Sequence, residues 1–207
     1  MPELPEVETI RRDLARVLPG LRVKRVVVRK PKLVQGSRAD FTRAFKRACV
    51  VGVERRAKQL ILLLSTGYAV LIHLKMTGQL VWKAKQGKLT VGGHPIVGVH
   101  DVPNKFTYII LELSDGSALY FNDVRQFGYW KAVPRAELEK HHAHLGPEPL
   151  TKDFTLAGLR VALARRKRTS IKAALLDQTV VAGIGNIYAD DSLFAARIKP
   201  AEKVSQL

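Results

Sequence analysis

The sequence predicts an α+β protein: an N-terminal helix, an antiparallel β-sandwich or barrel, then a smaller helical region. Three observations lead there. Apolar residues at helical spacing open the chain, short β-branched runs separated by turn signals occupy much of residues 23–121, and β character is lost after about Pro134. The 207 residues suffice for one large domain or two modest ones with a real core.

Val7, Ile10, Leu14, Val17 and Leu18 share one face of a helix expected from Pro5 to Leu18. Pro5 suits the first turn, where backbone N–H groups lack helical partners, and Pro19-Gly20 ends the helix. Strands are expected at Val23 to Val28, Val50 to Val53, Leu60 to Leu64, Ala69 to Leu74, Phe106 to Leu113 and Ala118 to Phe121. Ser65-Thr66-Gly67 and Ser114-Asp115-Gly116 supply turns between them, and a short helix is expected around Asp40 to Arg47. Past Pro134, Ala136 to His144 reads as a polar helix and Gly146-Pro147-Glu148-Pro149 as a breaker. Helices are then expected over Phe154 to Leu163, Ile171 to Asp177 and Ile187 to Ala196. The predicted organisation is a domain over 1–134, a linker over 135–150 and a helical domain over 151–207.

The charge balance is unusual. Thirty-five basic residues against 18 acidic ones leave a net charge of +17, which calls for a polyanionic partner such as nucleic acid. Two clusters concentrate it: Arg22, Lys24, Arg25, Arg29, Lys30 and Lys32, and Arg165-Arg166-Lys167-Arg168 with Lys172. Each taken alone fits a solvated surface; together with the net charge they favour contact with phosphates, without saying which nucleic acid or whether sequence is read. The single cysteine, Cys49, excludes an internal disulfide and a four-cysteine zinc site. No apolar run reaches membrane-spanning length, and the start of the chain is acidic where a secretion signal is basic, so neither is expected.

The start of the chain also carries chemistry. Met1-Pro2-Glu3-Leu4-Pro5-Glu6-Val7-Glu8 holds three acids and no base. Acids near a helix N-terminus complement its dipole, which accounts for Glu6 and Glu8 but leaves Glu3 and Pro2 unexplained. The small residue at position 2 permits removal of Met1, leaving a secondary amine. An α-amine has a reference pKa of roughly 7.7–8.0, and the positive end of a helix lowers it. Such an amine can attack a carbonyl-equivalent carbon and form an iminium, with Glu3 as acid and base beside it.

Pro2-Glu3-Leu4-Pro5-Glu6-Val7-Glu8 resembles the signature of the formamidopyrimidine-DNA glycosylases, bacterial base-excision enzymes that remove oxidised purines. Four further segments resemble that family in order: Arg56-Ala57-Lys58, His73-Leu74-Lys75-Met76-Thr77-Gly78, Asn122-Asp123-Val124-Arg125-Gln126-Phe127-Gly128, and Gly183-Ile184-Gly185-Asn186-Ile187-Tyr188-Ala189. Leu4 stands where the branch acting on oxidised pyrimidines usually has glycine, which favours the purine branch. The resemblance implies a β-sandwich, then a helix–two-turn–helix module.

It also implies roles. The Pro2 amine attacks the sugar carbon bearing the damaged base, Glu3 protonates the ring oxygen, Glu6 supports the site, and Lys58 holds a phosphate. Met76, Arg125 and Phe127 fill the void left by the extruded nucleotide; His73 and Asn186 contact phosphates. Read without the resemblance, Lys58 is a snorkelling lysine at the start of a strand, His73 a satisfied core histidine, and Met76 and Phe127 core packing. Gln126 replaces a basic residue usual in the family, and Asp191 a glutamate, which leaves any role at those two positions open. The His141, His142 and His144 group reads as a solvated linker, so no metal site is expected and no cofactor is assigned. The family's zinc β-hairpin needs four cysteines that this sequence lacks, and its lesion-closing loop lies beyond the residues given; the resemblance covers about three quarters of a typical member. The expected partner is double-stranded DNA with an oxidised purine or abasic site, bound by a monomer in the bacterial cytoplasm. A lyase-only or non-catalytic DNA-binding protein is the alternative.

Overall fold

The computed structural model describes residues 2–87, 89–93 and 101–207. It divides into two compact units, Met1–Lys140 and His141–Leu207.

In the first unit, α1 (Leu4–Val17) starts and ends one residue ahead of the expected Pro5 to Leu18. Glu3 is its N-cap, Pro5 lies in its first turn, and Leu4, Val7, Ile10 and Leu14 are buried. Ten strands follow among the described residues: β1 (Val23–Val28), β2 (Val34–Gln35), β3 (Val50–Arg56), β4 (Gln59–Leu64), β5 (Tyr68–His73), β6 (Gly78–Lys83), β7 (Leu89–Gly93), β8 (Thr107–Leu113), β9 (Ala118–Asp123) and β10 (Tyr129–Pro134). Helix α2 (Arg38–Phe45) lies between β2 and β3. It begins two residues ahead of expectation because the Ser37 hydroxyl caps it, accepting the Asp40 N–H at 3.1 Å.

The strands form two five-stranded sheets, ordered β1-β8-β9-β6-β7 and β2-β10-β5-β4-β3. Pairing is antiparallel except for the two-residue β2–β10 contact. The sandwich alternative therefore holds over a closed barrel. Leu60, Leu62 and Leu64 of β4 point into the main core with Val70 and Ile72, while Ile61 and Leu63 join Ala69, Leu71 and Val133 in a second cluster. A strand buried on both faces reads as an unbroken apolar run, as β4 does. Strands β2, β6, β7 and β10 were not expected from the sequence.

A short helix α3 (Leu138–His142) spans the junction of the two units, where the sequence reads as polar helix. The second unit contains α4 (Leu156–Ala164), α5 (Ile171–Leu176) and α6 (Asn186–Ala195). The Thr155 and Ser170 hydroxyls cap α4 and α5. Ile171, Leu175, Val180, Val181, Ala189 and Leu193 form the second core. Among the described residues no helix is long and apolar enough to cross a membrane.

Candidate active site and nucleic-acid interface

The first site residues meet at the start of α1. Pro2 is buried and Glu3 is only 1% exposed. Glu6 lies on the exposed side of the first turn, and its Oε2 reaches back to accept the Glu3 N–H at 2.8 Å. That bond satisfies a backbone donor the helix cannot, and it fixes Glu3's backbone. Lys58, 9% exposed, lies in the tight Ala57-Lys58 turn between β3 and β4. Burial pushes the Lys58 ammonium pKa down, opposed by the carboxylates of Glu3 and Glu6, while Lys75 adds to the depression. The structure therefore brings Lys58 within electrostatic reach of both acids.

The turn that presents Lys58 is held from behind. Ala57 has φ +51°, a left-handed conformation costly for a residue with a Cβ. Arg55 Nη1 donates to the Ala57 carbonyl at 2.9 Å, and Arg55 Nε donates to Glu8 Oε2 at 3.0 Å. With its side chain only 8% exposed, Arg55 ties α1 to β3. A hydrogen bond from Arg11 does most to hold Glu8 at about 2; burial opposes it, and Arg55 and Arg12 add to the depression. Glu8 thus serves this brace rather than the acidic cluster. Sequence reasoning missed Arg55, whose only local signal is its place two residues before Ala57.

A second group lies where β5 turns into β6 and β9 into β10. Met76 is 40% exposed and Phe127 is 53% exposed, so neither packs as a core residue. Arg125 Nη1 sits 3.0 Å from Met76 Sδ, and its guanidinium lies 4.8 Å from the Phe127 ring centroid. Two apolar side chains and a planar cation thus share one exposed cluster. Beneath it, Thr77 and Asp123 hydrogen-bond to each other, a pair that the motifs contained but that sequence reasoning did not single out.

His73 ends β5, partly buried beside Tyr129, whose ring centroid is 5.6 Å from its own. Its Nδ1 accepts the Lys75 N–H at 3.0 Å, which leaves Nε2 as the protonated, donating nitrogen of the neutral ring. Burial, then the charges of Lys75 and Lys58, push His73 down to about 4. Between pH 6.5 and 4 the unfolded chain binds a proton that the folded chain refuses. The stability from this group is complete above pH 6.5 and falls as pH drops toward 4, by up to about 3 kcal/mol. Both tryptophans, Trp82 and Trp130, lie in the first unit, so their fluorescence reports its unfolding alone. Urea midpoints should fall between pH 6.5 and 4.5, and His73→Gln should flatten that dependence; an equally steep fall in the variant would remove His73 as its source.

In the second unit, Asn186 is exposed in the first turn of α6, after the Gly185 N-cap. The approach to it is braced by Gln178, another residue not anticipated. Its amide nitrogen donates to the carbonyls of Leu176 and Ile184, and its Oε1 accepts the Gly183 N–H at 2.9 Å. Gly183 has φ +98°, a turn conformation that needs glycine. Asn186 thus stands, exposed, at the positive end of the α6 dipole, a position suited to phosphate.

The basic clusters are less available than their sequence suggests. Arg25 pairs with Glu112, Arg166 with Asp177 at 2.9 Å, and Lys172 with Asp190 at 2.7 Å. Arg165, Lys167 and Arg168 remain exposed. The zinc implied by the resemblance finds no donor set in these residues. Cys49 is the one cysteine, and among the described residues no group of three or more His, Cys, Asp or Glu could hold a metal.

Residues 1–130 match the family model for the formamidopyrimidine-DNA glycosylase N-terminal domain, and residues 145–207 match that for its H2TH domain. Formamidopyrimidine-DNA glycosylases of Rhodopseudomonas palustris (strain TIE-1) and Pelotomaculum thermopropionicum are each 42% identical over the whole chain, which spans 71% of their length. Among solved structures, the complex of wild-type Lactococcus lactis Fpg (MutM) with DNA containing N7-benzyl-Fapy-dG has a TM-score of 0.85 at 30% identity, covering all of this chain and 71% of that one. The Lactococcus lactis Fpg complex with DNA containing an abasic site also has a TM-score of 0.85, at 29% identity and the same coverage. With both family models and full-length similarity in agreement, the chain belongs to the formamidopyrimidine-DNA glycosylase family.

Proposed function

We propose that this chain removes oxidised purines, such as 8-oxoguanine and formamidopyrimidines, from duplex DNA and cuts the strand through the amine of Pro2. One observation carries the reading most. A carboxylate and an ammonium, Glu3 and Lys58, are withdrawn from water and feel each other's charge, and Glu3 follows Pro2 in the chain. Two ionisable groups held out of water within electrostatic reach of each other mark a functional site, and Glu3 is bonded directly to the residue whose nitrogen loss of Met1 would free.

The chemistry balances without a cofactor. The amine lone pair attacks the sugar C1′, and the base leaves with the electrons of its glycosidic bond. The proton shed by the amine passes to Glu3, which delivers it to the ring oxygen as the ring opens to an iminium. Successive loss of protons from C2′ and C4′ then expels the 3′ and the 5′ phosphate. Glu6 fixes Glu3, and Lys58 offers a point charge to a phosphate beside the lesion.

Extruding a nucleotide costs a few kcal/mol of stacking and pairing. Met76 and Phe127 replace the lost stacking, and the Arg125 guanidinium offers donors to the widowed base. His73 serves as a neutral Nε2–H donor to phosphate, and Asn186 holds phosphate at the start of α6. The bound form is a monomer.

The test is borohydride reduction in the presence of duplexes containing 8-oxoguanine or an abasic site. A covalent adduct on both supports a working bifunctional glycosylase. Because the chain spans 71% of its relatives' length, a lyase without base recognition is a second reading, and an adduct on the abasic duplex alone would establish it. Binding without any adduct would overturn the catalytic reading in favour of a DNA-binding protein.

A further inference from the structure

Three hydrogen bonds at the base of the Met76–Arg125–Phe127 cluster run through two residues with no role so far, Thr77 and Asp123. Asp123 ends β9 and is 0% exposed. A carboxylate so far from water needs donors on its oxygens. The Thr77 hydroxyl donates to Oδ1, and the Gly128 N–H donates to Oδ2 at 2.7 Å. A hydroxyl has one proton and two lone pairs, and with its proton on Asp123, Thr77 Oγ1 accepts the Arg125 N–H at 2.9 Å.

One hydroxyl therefore joins two segments far apart in sequence. Thr77 follows Met76 in the β5–β6 turn, and Arg125 and Phe127 belong to the β9–β10 loop. Gly128 lets that loop close down on the carboxylate. A Cβ there would stand 2.7 Å from Phe121 Cζ and 3.0 Å from Asp123 Oδ2. At the exposed tips, by contrast, the arms meet through the Arg125–Met76 cation–sulfur contact, while the cation–ring contact of Arg125 with Phe127 stays within one loop. The firm link between them lies at the buried base.

We infer that Thr77 and Asp123 are positioning residues that yoke the two arms of the wedge, so that Met76, Arg125 and Phe127 enter the base stack as one unit. The inference rests on the wedge reading given above. Two side chains on independent turns would yield separately to a restacking duplex, whereas arms sharing a buried carboxylate must move together or break its hydrogen bonds.

Thr77→Val keeps the shape of the side chain and removes both hydroxyl bonds; Thr77→Ser keeps them. Unstacking is followed by the fluorescence of 2-aminopurine beside an abasic analogue in a duplex. Chemistry is followed by borohydride trapping on a paired abasic duplex and on an abasic single strand, which needs no wedge. Thr77→Val should slow the fluorescence rise, and lower trapping on the duplex, roughly tenfold, the worth of a hydrogen bond to a charged group. Single-strand trapping should stay within about twofold, and Thr77→Ser should behave as the parent on every substrate. Met76→Ala should cost less in the Thr77→Val background than in the parent, because the arms are already uncoupled.

A parental fluorescence rise in Thr77→Val overturns the yoke. So does equal loss of trapping on duplex and single strand, or strict additivity with Met76→Ala. If the parent traps no strand at all, the Pro2 reading fails and the fluorescence arm still decides. If the parent gives no fluorescence change on abasic duplex, the wedge fails and the yoke fails with it.

Discussion

A chain that retains Met1, or whose Pro2 nitrogen is acylated, should form no borohydride adduct and cut no strand while binding intact duplex as before. An amide nitrogen gives its lone pair to the carbonyl, so the Pro2 nitrogen is no longer a nucleophile. The freed amine, in contrast, starts near a reference pKa of roughly 7.7–8.0, and the positive end of α1 favours its neutral form. If Pro2 is the nucleophile, its loss removes the route to the iminium, so the expected fall exceeds about ten-thousandfold, beyond the usual acid–base contribution. Duplex affinity rests on phosphate contacts elsewhere and should not follow.

Lys58 is the rival that this experiment must separate from Pro2. Its amine is buried and its pKa is lowered, the conditions under which a lysine becomes a nucleophile. The two differ in what surrounds them: Lys58 faces two carboxylates that restore its charge, which suits a cation on phosphate better than an attacking amine. Mass mapping of the trapped adduct decides. An adduct on the peptide beginning at Pro2 supports the assignment, and an adduct on Lys58, undiminished when Met1 is retained, would transfer the reaction to the lysine.

What was legible in the sequence divides along local and distant causes. Helix α1 shows because apolar spacing and two prolines mark its face and its ends, and β4 shows because burial on both faces leaves no polar interruption. Strands β6 and β10 did not show, because each begins beside a glycine that reads as a turn. Gly78 is there for crowding instead: a Cβ would fall 2.3 Å from the Leu74 carbonyl oxygen. Strand β2 has two residues and exists only through its pairing with β10. The catalytic candidates sit in short contiguous motifs and were named at once. Thr77 and Asp123 lie 46 residues apart, and Arg55 and Glu8 lie 47 apart, so no spacing rule joins them. Charge patterning located the basic clusters but not the acids Glu112, Asp177 and Asp190 that occupy part of them.

Glu3→Gln should separate base removal from strand cleavage. The amide has nearly the carboxylate's shape, and Glu6 still accepts the backbone N–H at position 3, so the first turn of α1 keeps its geometry. What is lost, on the proposed mechanism, is the group that takes a proton from the attacking amine and hands it to the ring oxygen. Positioned acid–base groups contribute roughly 10²–10⁴-fold, and single-turnover excision of 8-oxoguanine should fall by that factor. A preformed abasic sugar is different, since part of it is already the ring-open aldehyde and needs no acid to open. Its cleavage should fall far less than excision does. Losing the Glu3 charge also removes an influence that raises the Lys58 pKa, so the ammonium should move further down and phosphate binding should weaken earlier as pH rises. Unchanged excision by Glu3→Gln would strip Glu3 of its role. Equal loss on both substrates would place its action at a step the two share, such as holding Lys58 or the sugar, rather than at ring opening.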